Sequence, residues 1–263
     1  LYEYDARNRM IKKKVPGADW VYMVYDKRDR LVLTQDGVQR EDDEWIFTKY
    51  DALNRPVLTG IYSSTNDLDS MQSYINNNVG DTETFKFYET TGTTIHGYTN
   101  NAFPSTTTAS DYLTVTFYDK YEFLDSLTEF TSEYDFDNSS SPYDATYLSK
   151  PKGHITGSKV KNLDDNSWLL SSIFYDKKYR IIQQVTEYVL DGEDHVYNLY
   201  DFVGNVTKTK LIHSEGSNTT TIQQEFDYDH MNRLLKSWYK INNEDKILMA
   251  ENEYNELGEI IDK

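Results

Sequence analysis

The chain is built from short runs in which apolar and polar residues alternate. Trp20-Val21-Tyr22-Met23-Val24-Tyr25 is one such run; it stops at Asp26, and apolar residues resume at Leu31-Val32. The same resumption occurs at Met10-Ile11, Ile181-Ile182 and Leu234-Leu235. Alternation with a period of two, bounded by Asp, Asn and Gly, predicts strands joined by hairpin turns. The Asp ends each strand because its side chain bonds the backbone of a turn. The third residue after it is Asn8, Asp29, Asn54, Gly204, Asn232 or Gly258. These types tolerate the left-handed conformation that a tight hairpin demands. Polar links such as Gln35-Asp36-Gly37 and Asp191-Gly192-Glu193-Asp194 return the chain to the next strand.

The unit repeats. Copies begin at Tyr4-Asp5, Tyr25-Asp26 and Tyr50-Asp51, and again at Tyr175-Asp176, Tyr200-Asp201 and Tyr228-Asp229; Tyr254-Asn255 is a degenerate last copy. Tyr118-Asp119 starts another but loses the Asn-Arg element. Neighbouring tyrosines within the two blocks are 21, 25, 25, 28 and 26 residues apart, a period that marks a repeat array. One hairpin alone is marginal, whereas hairpins stacked edge to edge bury a continuous Tyr and aliphatic face and pair their edges. The expected fold is all-β: repetitive antiparallel β-hairpins forming a curved sheet or partial β-shell, with one short helix in an insertion. Repeat hairpins are expected over residues 1–62 and 173–263. An irregular insertion with degenerate repeats occupies 63–172, and the three parts read as one continuous structural unit.

At these residues the chain resembles the YD-repeat family, also called rearrangement-hotspot (RHS) repeats. The family pattern is Tyr-Asp-x-x-Gly-Arg-Leu, with Asn or Asp often replacing Gly. The stretches Gly97-Tyr98-Thr99-Asn100-Asn101, Val115-Thr116-Phe117-Tyr118-Asp119 and Lys152-Gly153-His154-Ile155 are similar to large members from Bacteroidetes. The resemblance implies a sheet ribbon that spirals into a hollow shell. In insecticidal toxin complexes and polymorphic toxins such shells enclose a C-terminal toxic domain; in teneurins similar shells belong to cell-surface adhesion proteins. It further implies a secreted or cell-surface bacterial protein. Its partner would be the remainder of a larger polypeptide or an encapsulated C-terminal domain. Bacterial shells often end in an Asp-Pro-x-Gly element with self-cleaving aspartates. None of Pro16, Pro56, Pro104, Pro142 and Pro151 follows an Asp, so neither self-cleavage nor a toxin warhead is expected within this chain.

Residues 63–112 break the repeat. Asn66 through Ile75 predicts a short helix, capped by Asn66 or Asp67, with Leu68, Met71 and Ile75 on one face. Residues 99–111 and 131–152 read as polar loops, suited to a plug, a lid or decoration of a sheet edge. No catalytic constellation is evident. His96, His154, His195, His213 and His230 show no spacing that pairs metal ligands, and there is no Gly-x-Ser-x-Gly elbow or phosphate loop. The repeated Asp residues are accounted for as turn-formers, and no cofactor is expected. Asp135-Phe136-Asp137 places oxygen ligands at alternate positions, as calcium loops do, but lacks their Gly and distal Glu.

Composition narrows the function. Apolar residues make up 38% of the 263, and 23 residues are Tyr. That fits a sheet buried on one face and wet on the other better than a compact aliphatic core. A net charge of −17, with Lys12-Lys13-Lys14 as the one basic run, argues against nucleic acid. There is no Cys, and no apolar run is long enough to span a bilayer. The chain opens inside a repeat, with no signal peptide at Leu1, and reads as a piece or processed form of something longer. The leading expectation is a non-enzymatic scaffold that encapsulates or presents another domain, such as a toxin. The alternative is a surface module binding carbohydrate or protein, with Trp20, Trp45, Trp168 and Trp238 as the rings to stack on sugars. A hydrolase with paired carboxylates is the third reading.

Overall fold

The structure, a computed structural model, describes residues 1–80, 84–105, 107–143, 146–189 and 192–262. Asp191 of the second polar link lies outside the described residues, as do 106, 144 and 145 of the two expected loops. The class is all-β, with 47% strand and 11% helix. The strands are β1 (Tyr2–Tyr4), β2 (Met10–Lys13), β3 (Val21–Tyr25), β4 (Leu31–Gln35), β5 (Glu44–Tyr50), β6 (Pro56–Ser63), β7 (Thr91–Ile95), β8 (Tyr112–Tyr118) and β9 (Ile155–Lys161). They continue as β10 (Trp168–Tyr175), β11 (Ile181–Tyr188), β12 (Gly192–Tyr200), β13 (Val206–Glu215), β14 (Asn218–Tyr228), β15 (Leu234–Ile241), β16 (Ile247–Glu251), β17 (Glu253–Tyr254) and β18 (Ile260–Asp262). Fifteen of them, β1 to β16 without β7, pair in chain order as one sheet; β17 and β18 form a separate hairpin. Segment 63–172 therefore supplies β8, β9 and part of β10 to the main sheet.

Among the described residues, three short α-helices occur where one was expected: α1 (Gly37–Glu41), α2 (Leu68–Asn78) and α3 (Glu122–Ser126). The expected helix is α2, capped by Asp67, whose carboxylate accepts from Ser70 N–H at 2.8 Å; Leu68, Met71 and Ile75 are its buried residues. The link at Asp36 is α1 because Asp36 and Gln39 form a reciprocal capping box at 2.8 and 2.9 Å. Five residues are too few for an apolar period to announce.

The chain divides into two compact units, Leu1–Phe117 with Lys159–Trp168, and Tyr118–Ser158 with Leu169–Lys263. In the first, β5 alternates strictly, burying Trp45, Phe47 and Lys49. Val24, Leu33, Leu58, Met71, Ile75 and Tyr112 complete this core. Each such aliphatic side chain contributes roughly 1.5–3 kcal/mol of transfer free energy. Gln72 of α2 clamps the backbone of Tyr25, accepting from its N–H at 3.0 Å and donating to its carbonyl at 2.7 Å. Gly60 on β6 has no room for a side chain, since an added Cβ would lie 2.5 Å from Phe47 Cζ and 2.4 Å from the Asp111 carbonyl.

In the second unit, Leu170, Ser172 and Phe174 of β10 are buried with Gln183 and Val185 of β11 and Tyr197 of β12. The segment between β8 and β9, including the expected polar loop 131–152, carries buried Phe123, Phe130, Tyr134 and Tyr143. It is a packed excursion, because these aromatic rings need an apolar neighbour. Gln183 repeats the amide clamp here, accepting from Asp137 N–H at 2.9 Å and donating to its carbonyl at 2.7 Å. Farther along, alternation fades. All eight residues of β15 are half-buried, and Val196, Leu211, Ile222 and Ile241 form a cross-strand apolar row of the same half-buried kind.

Candidate functional site

The repeated Tyr-Asp turns are the defining constellation. In the first, Asn8 N–H donates to the Asp5 carbonyl at 3.0 Å and Asp5 N–H to the Arg9 carbonyl at 3.0 Å, a three-residue hairpin loop with its bulge. Asn8 sits at φ 59°, Asp29 at 61°, Asn54 at 62°, Asn232 at 63°, Gly204 at 115° and Gly258 at 84°. Each expected turn-former thus takes a left-handed conformation. Tyr179 does the same at φ 61° without being such a type; its ring stacks on His154, centroids 4.7 Å apart.

The Asp side chain organises the loop. One oxygen of Asp26 accepts from Arg28 N–H at 2.9 Å and Arg30 N–H at 3.0 Å, the other from Arg30 Nε at 2.8 Å. Asp5, Asp51, Asp176 and Asp229 repeat this pattern with Arg9, Arg55, Arg180 and Arg233. At Asp201 the partner is Asn205, and Asn255 replaces the Asp of the last copy. Burial pushes the Asp176 carboxyl up, but the Arg180 backbone N–H and guanidinium outweigh it, leaving it below the ordinary carboxylate range.

The Tyr of each unit locks onto the unit before it. Its hydroxyl donates to the carbonyl of the first residue of a preceding strand: Tyr25 to Met10, Tyr50 to Leu31, Tyr175 to Ile155, Tyr200 to Ile181, Tyr228 to Val206 and Tyr254 to Leu234, at 2.6 to 3.0 Å. The turn Arg of the preceding unit lies over the same ring. Arg9 is 4.9 Å from the Tyr25 centroid, Arg30 4.7 Å from Tyr50, Arg180 4.4 Å from Tyr200 and Arg233 4.6 Å from Tyr254. These four links combine a neutral hydrogen bond with a cation–π contact, together worth about 1–2 kcal/mol; at Tyr175 and Tyr228 the preceding turn offers His154 and Asn205 in place of Arg.

Tyr118-Asp119, which starts a copy without the Asn-Arg element, has its turn closed from far along the chain. Asp119 N–H donates to the His154 carbonyl at 3.1 Å, and the Asp119 carboxylate accepts from Gly153 N–H at 2.6 Å, 34 residues away. Gly153 sits at φ 82°, the left-handed place, and His154 stands where the Arg belongs, its ring 5.1 Å from Tyr175. The whole excursion is inserted inside a Tyr-Asp turn.

The other candidates separate. Trp45 is fully buried, so it presents no ring to a sugar; its Nε1 has no partner among the described residues. Trp20, Trp168 and Trp238 are half-buried, with Lys14, Lys159 and Lys246 at 5.9, 4.8 and 4.3 Å from their rings. Asp137 and Asp135 do not converge as cation ligands. Asp137 accepts from Ser139 N–H and Oγ at 2.8 and 2.7 Å and from the Tyr197 hydroxyl at 3.1 Å, while Asp135 is exposed. Burial works against the Asp137 charge, yet these donors hold its carboxyl well below the usual range. Among the described residues no three His, Cys, Asp or Glu side chains gather as a metal would require.

A buried ion pair escaped sequence reasoning. Lys49 Nζ lies 3.3 Å from Glu89 Oε1, with both side chains fully buried. Lys49 also donates to Asn100 Oδ1 at 2.5 Å and to Tyr112 Oη at 2.9 Å. Glu89 accepts from the N–H groups of Asn101 and Ala102 at 3.0 and 2.9 Å and from Thr99 Oγ1 at 2.6 Å. Burial pulls the Lys49 ammonium down to about 8 against the pull of Glu89. The signal in the sequence was parity, since Lys49 follows Trp45 and Phe47 on the inward face.

No protein-family model matches the chain, and no curated protein matches it. Solved structures similar to it include the crystal structure of TcdB2-TccC3-TEV, at 10% identity and TM-score 0.33, and that of TcdB2-TccC3, at 11% and 0.29. Each match covers 99% of this chain and 12% of the other. A Photorhabdus luminescens Tc holotoxin pore is similar at 11% identity and TM-score 0.21, over 99% of this chain and 18% of the other. The chain thus spans about one eighth of the first solved chains it matches. Overlap of this degree carries no property of those proteins to this one.

Proposed function

We propose that this chain is a non-enzymatic structural scaffold, a segment of a YD-repeat shell that encapsulates or presents another domain, such as a toxin, in a secreted or surface-exposed bacterial protein. The observation that carries the reading is the neighbour-to-neighbour lock. A Tyr hydroxyl joins hairpin to hairpin in six places, with a turn Arg held by its turn Asp over the ring in four of them, and such a neighbour rule extends as hairpins are added. The residues with the most distinctive geometry are spent on this lock, which supports a building role over a chemical one. The bound partner is then the rest of the polypeptide or the domain it encloses. Electron cryo-microscopy of the complete gene product tests this. The expected result is a continued sheet of the same hairpins around a domain of different composition. A gene product that ends with this chain, or a sheet enclosing nothing, overturns the proposal.

A further inference from the structure

We propose that one face of β13–β15, in the second unit, docks an acidic, aromatic-bearing polypeptide segment. A single cross-strand row runs through this unit from Phe174 to Gln183, Tyr197, Lys210, Gln223 and Lys240. Its first three side chains are buried. The excursion between β8 and β9 covers them. Phe136 packs on Phe174 with centroids 5.4 Å apart, Gln183 donates to the carbonyls of Asp137 and Tyr143 at 2.7 and 3.0 Å, and the Tyr197 hydroxyl donates to the Asp137 carboxylate at 3.1 Å. The cover reaches its margin at Lys210, which donates to Ser140 Oγ at 3.4 Å. Gln223 and Lys240 continue the same face beyond it and are half-buried.

The cover itself is the template for the partner. Residues 121–149 hold seven acidic and seven aromatic residues and no Lys, Arg or His. The part of the face beyond the cover is complementary to such a segment. Lys208, Glu225 and Trp238 stand two residues along from Lys210, Gln223 and Lys240, and so on the same side of the pleat. Lys208 and Lys246 share Glu225 and keep 42% and 39% of their side chains exposed. Lys246 also lies 4.3 Å from the Trp238 ring centroid. Four lysines thus face one carboxylate here, on a chain whose net charge is −17. Opposite charge sets the register of a partner and speeds its encounter, and Trp238 adds ring surface for aromatic contact. A hollow lined by Gln223, Trp238, Lys240 and Lys246 measures about 20 Å³, room for one water. A segment lying across the face fits this surface, and a small molecule does not. Only the source of the segment rests on the scaffold reading, in which it belongs to the rest of the polypeptide or to the enclosed domain.

The test is an NMR titration of the intact chain with a capped hexapeptide copying Glu133-Tyr134-Asp135-Phe136-Asp137-Asn138 of its own cover. Saturable shifts of the Gln223, Trp238 and Lys240 signals are expected, with a Kd of about 1 mM or tighter. A peptide with amides in place of its three carboxylates should not bind, and one with Ala in place of its two rings should bind more weakly. Lys210→Gln and Lys240→Gln should each weaken binding about 3- to 5-fold, and the double variant at least ~10-fold. Lys152→Gln, elsewhere in this unit, should leave it unchanged. Circular dichroism checks that each variant is folded. The proposal is overturned by no saturable shift up to ~10 mM peptide, by equal binding of the amide peptide, or by undiminished binding in the folded double variant. Polygalacturonate producing the same shifts would assign the face to an acidic polysaccharide. A dimer in sedimentation velocity that the double variant dissolves would assign it to a second copy of the chain. Either result also overturns the proposal. A failure here leaves the shell reading standing, because that reading is decided on the complete gene product.

Discussion

The backbone N–H of Asp119 donates to the carbonyl of His154 at 3.1 Å, the same bond that Asp5 makes to Arg9 at 3.0 Å across an ordinary turn. A hairpin loop has been opened and a packed segment inserted between its two halves, with Asp119 itself at φ 69°. Loop-closure entropy permits this, because each doubling of loop length costs only about 0.6 kcal/mol. Three doublings come to about 2 kcal/mol, and the buried rings of Phe123, Phe130 and Tyr134 offset part of the further cost of ordering the segment.

The two halves of that turn should therefore be coupled. Asp119→Ala strands the Gly153 N–H and is expected to cost about 1 kcal/mol. Hydrogen exchange should report faster exchange at Gly153 in the variant. Exchange that stays at the wild-type rate would show that the Asp119 carboxylate does not close the turn.

The Asp of an ordinary turn carries more where it is buried. Asp26 has no exposed surface and Arg30 has 9% of its side chain exposed. Asp26→Ala leaves a buried guanidinium without its main partner, and a loss of about 3–5 kcal/mol is expected in denaturant unfolding. Tyr50→Phe keeps the ring under Arg30 and removes only the bond to Leu31, so about 1 kcal/mol is expected. If the two variants lose equal stability, the link between units is not divided as described.

The repeat was legible because its chemistry is local. An Asp that caps its own turn and an Asn that tolerates positive φ act within five residues, and Leu68, Met71 and Ile75 declare one helix face by spacing. What was hidden depends on distant partners. The Tyr-to-carbonyl lock joins residues 15 to 22 apart. His154 replaces Arg only after a long excursion, and Tyr179 adopts a conformation its type disfavours. Trp45 looked like a ring for a ligand and is core, because it shares the inward parity of Phe47.

Two glycines should be intolerant of any side chain. A Cβ at Gly157 would lie 2.4 Å from Phe123 Cζ and 2.8 Å from the Ser171 carbonyl, and Gly60 is equally tight against Phe47. Gly60→Ala and Gly157→Ala are expected to cost about 1–3 kcal/mol each by overpacking. Gly216, at φ 57° with open space around it, provides the comparison: its Ala variant should lose only about 1 kcal/mol, the backbone cost. Thermal midpoints that fail to separate the two kinds of site would refute the packing argument.

Acid should loosen the array. The carboxyls of Asp5, Asp176, Asp201 and Asp229 are held below their ordinary value. Groups depressed on folding contribute stability above the unfolded value of about 3.9, and it is lost as pH falls through their lower folded values. The thermal midpoint should hold between pH 7 and about 5 and decline below about 4. Asp176→Asn should be less stable at pH 7 and show a shallower acid decline; an identical slope would remove the turn carboxylates as the cause.

The Lys49–Glu89 pair predicts an asymmetry. Glu89 keeps three donors, from Thr99, Asn101 and Ala102, when Lys49 is removed. Lys49 without Glu89 keeps two neutral acceptors for a fully buried ammonium. Glu89→Leu should then cost about 3–5 kcal/mol, and Lys49→Met clearly less. The double variant Lys49→Met with Glu89→Leu should recover most of the loss, since apolar replacements of a buried pair are often neutral. Because burial pulls the Lys49 ammonium to about 8, the unfolded chain binds more protons than the folded one between about 8 and 10.4. Wild-type stability should rise with pH across that window, and Lys49→Met should abolish the rise. Denaturant unfolding at pH 7 and 9.5 measures both effects. A Lys49→Met variant as unstable as Glu89→Leu would mean the lysine, rather than the carboxylate, holds the 99–102 segment against β5.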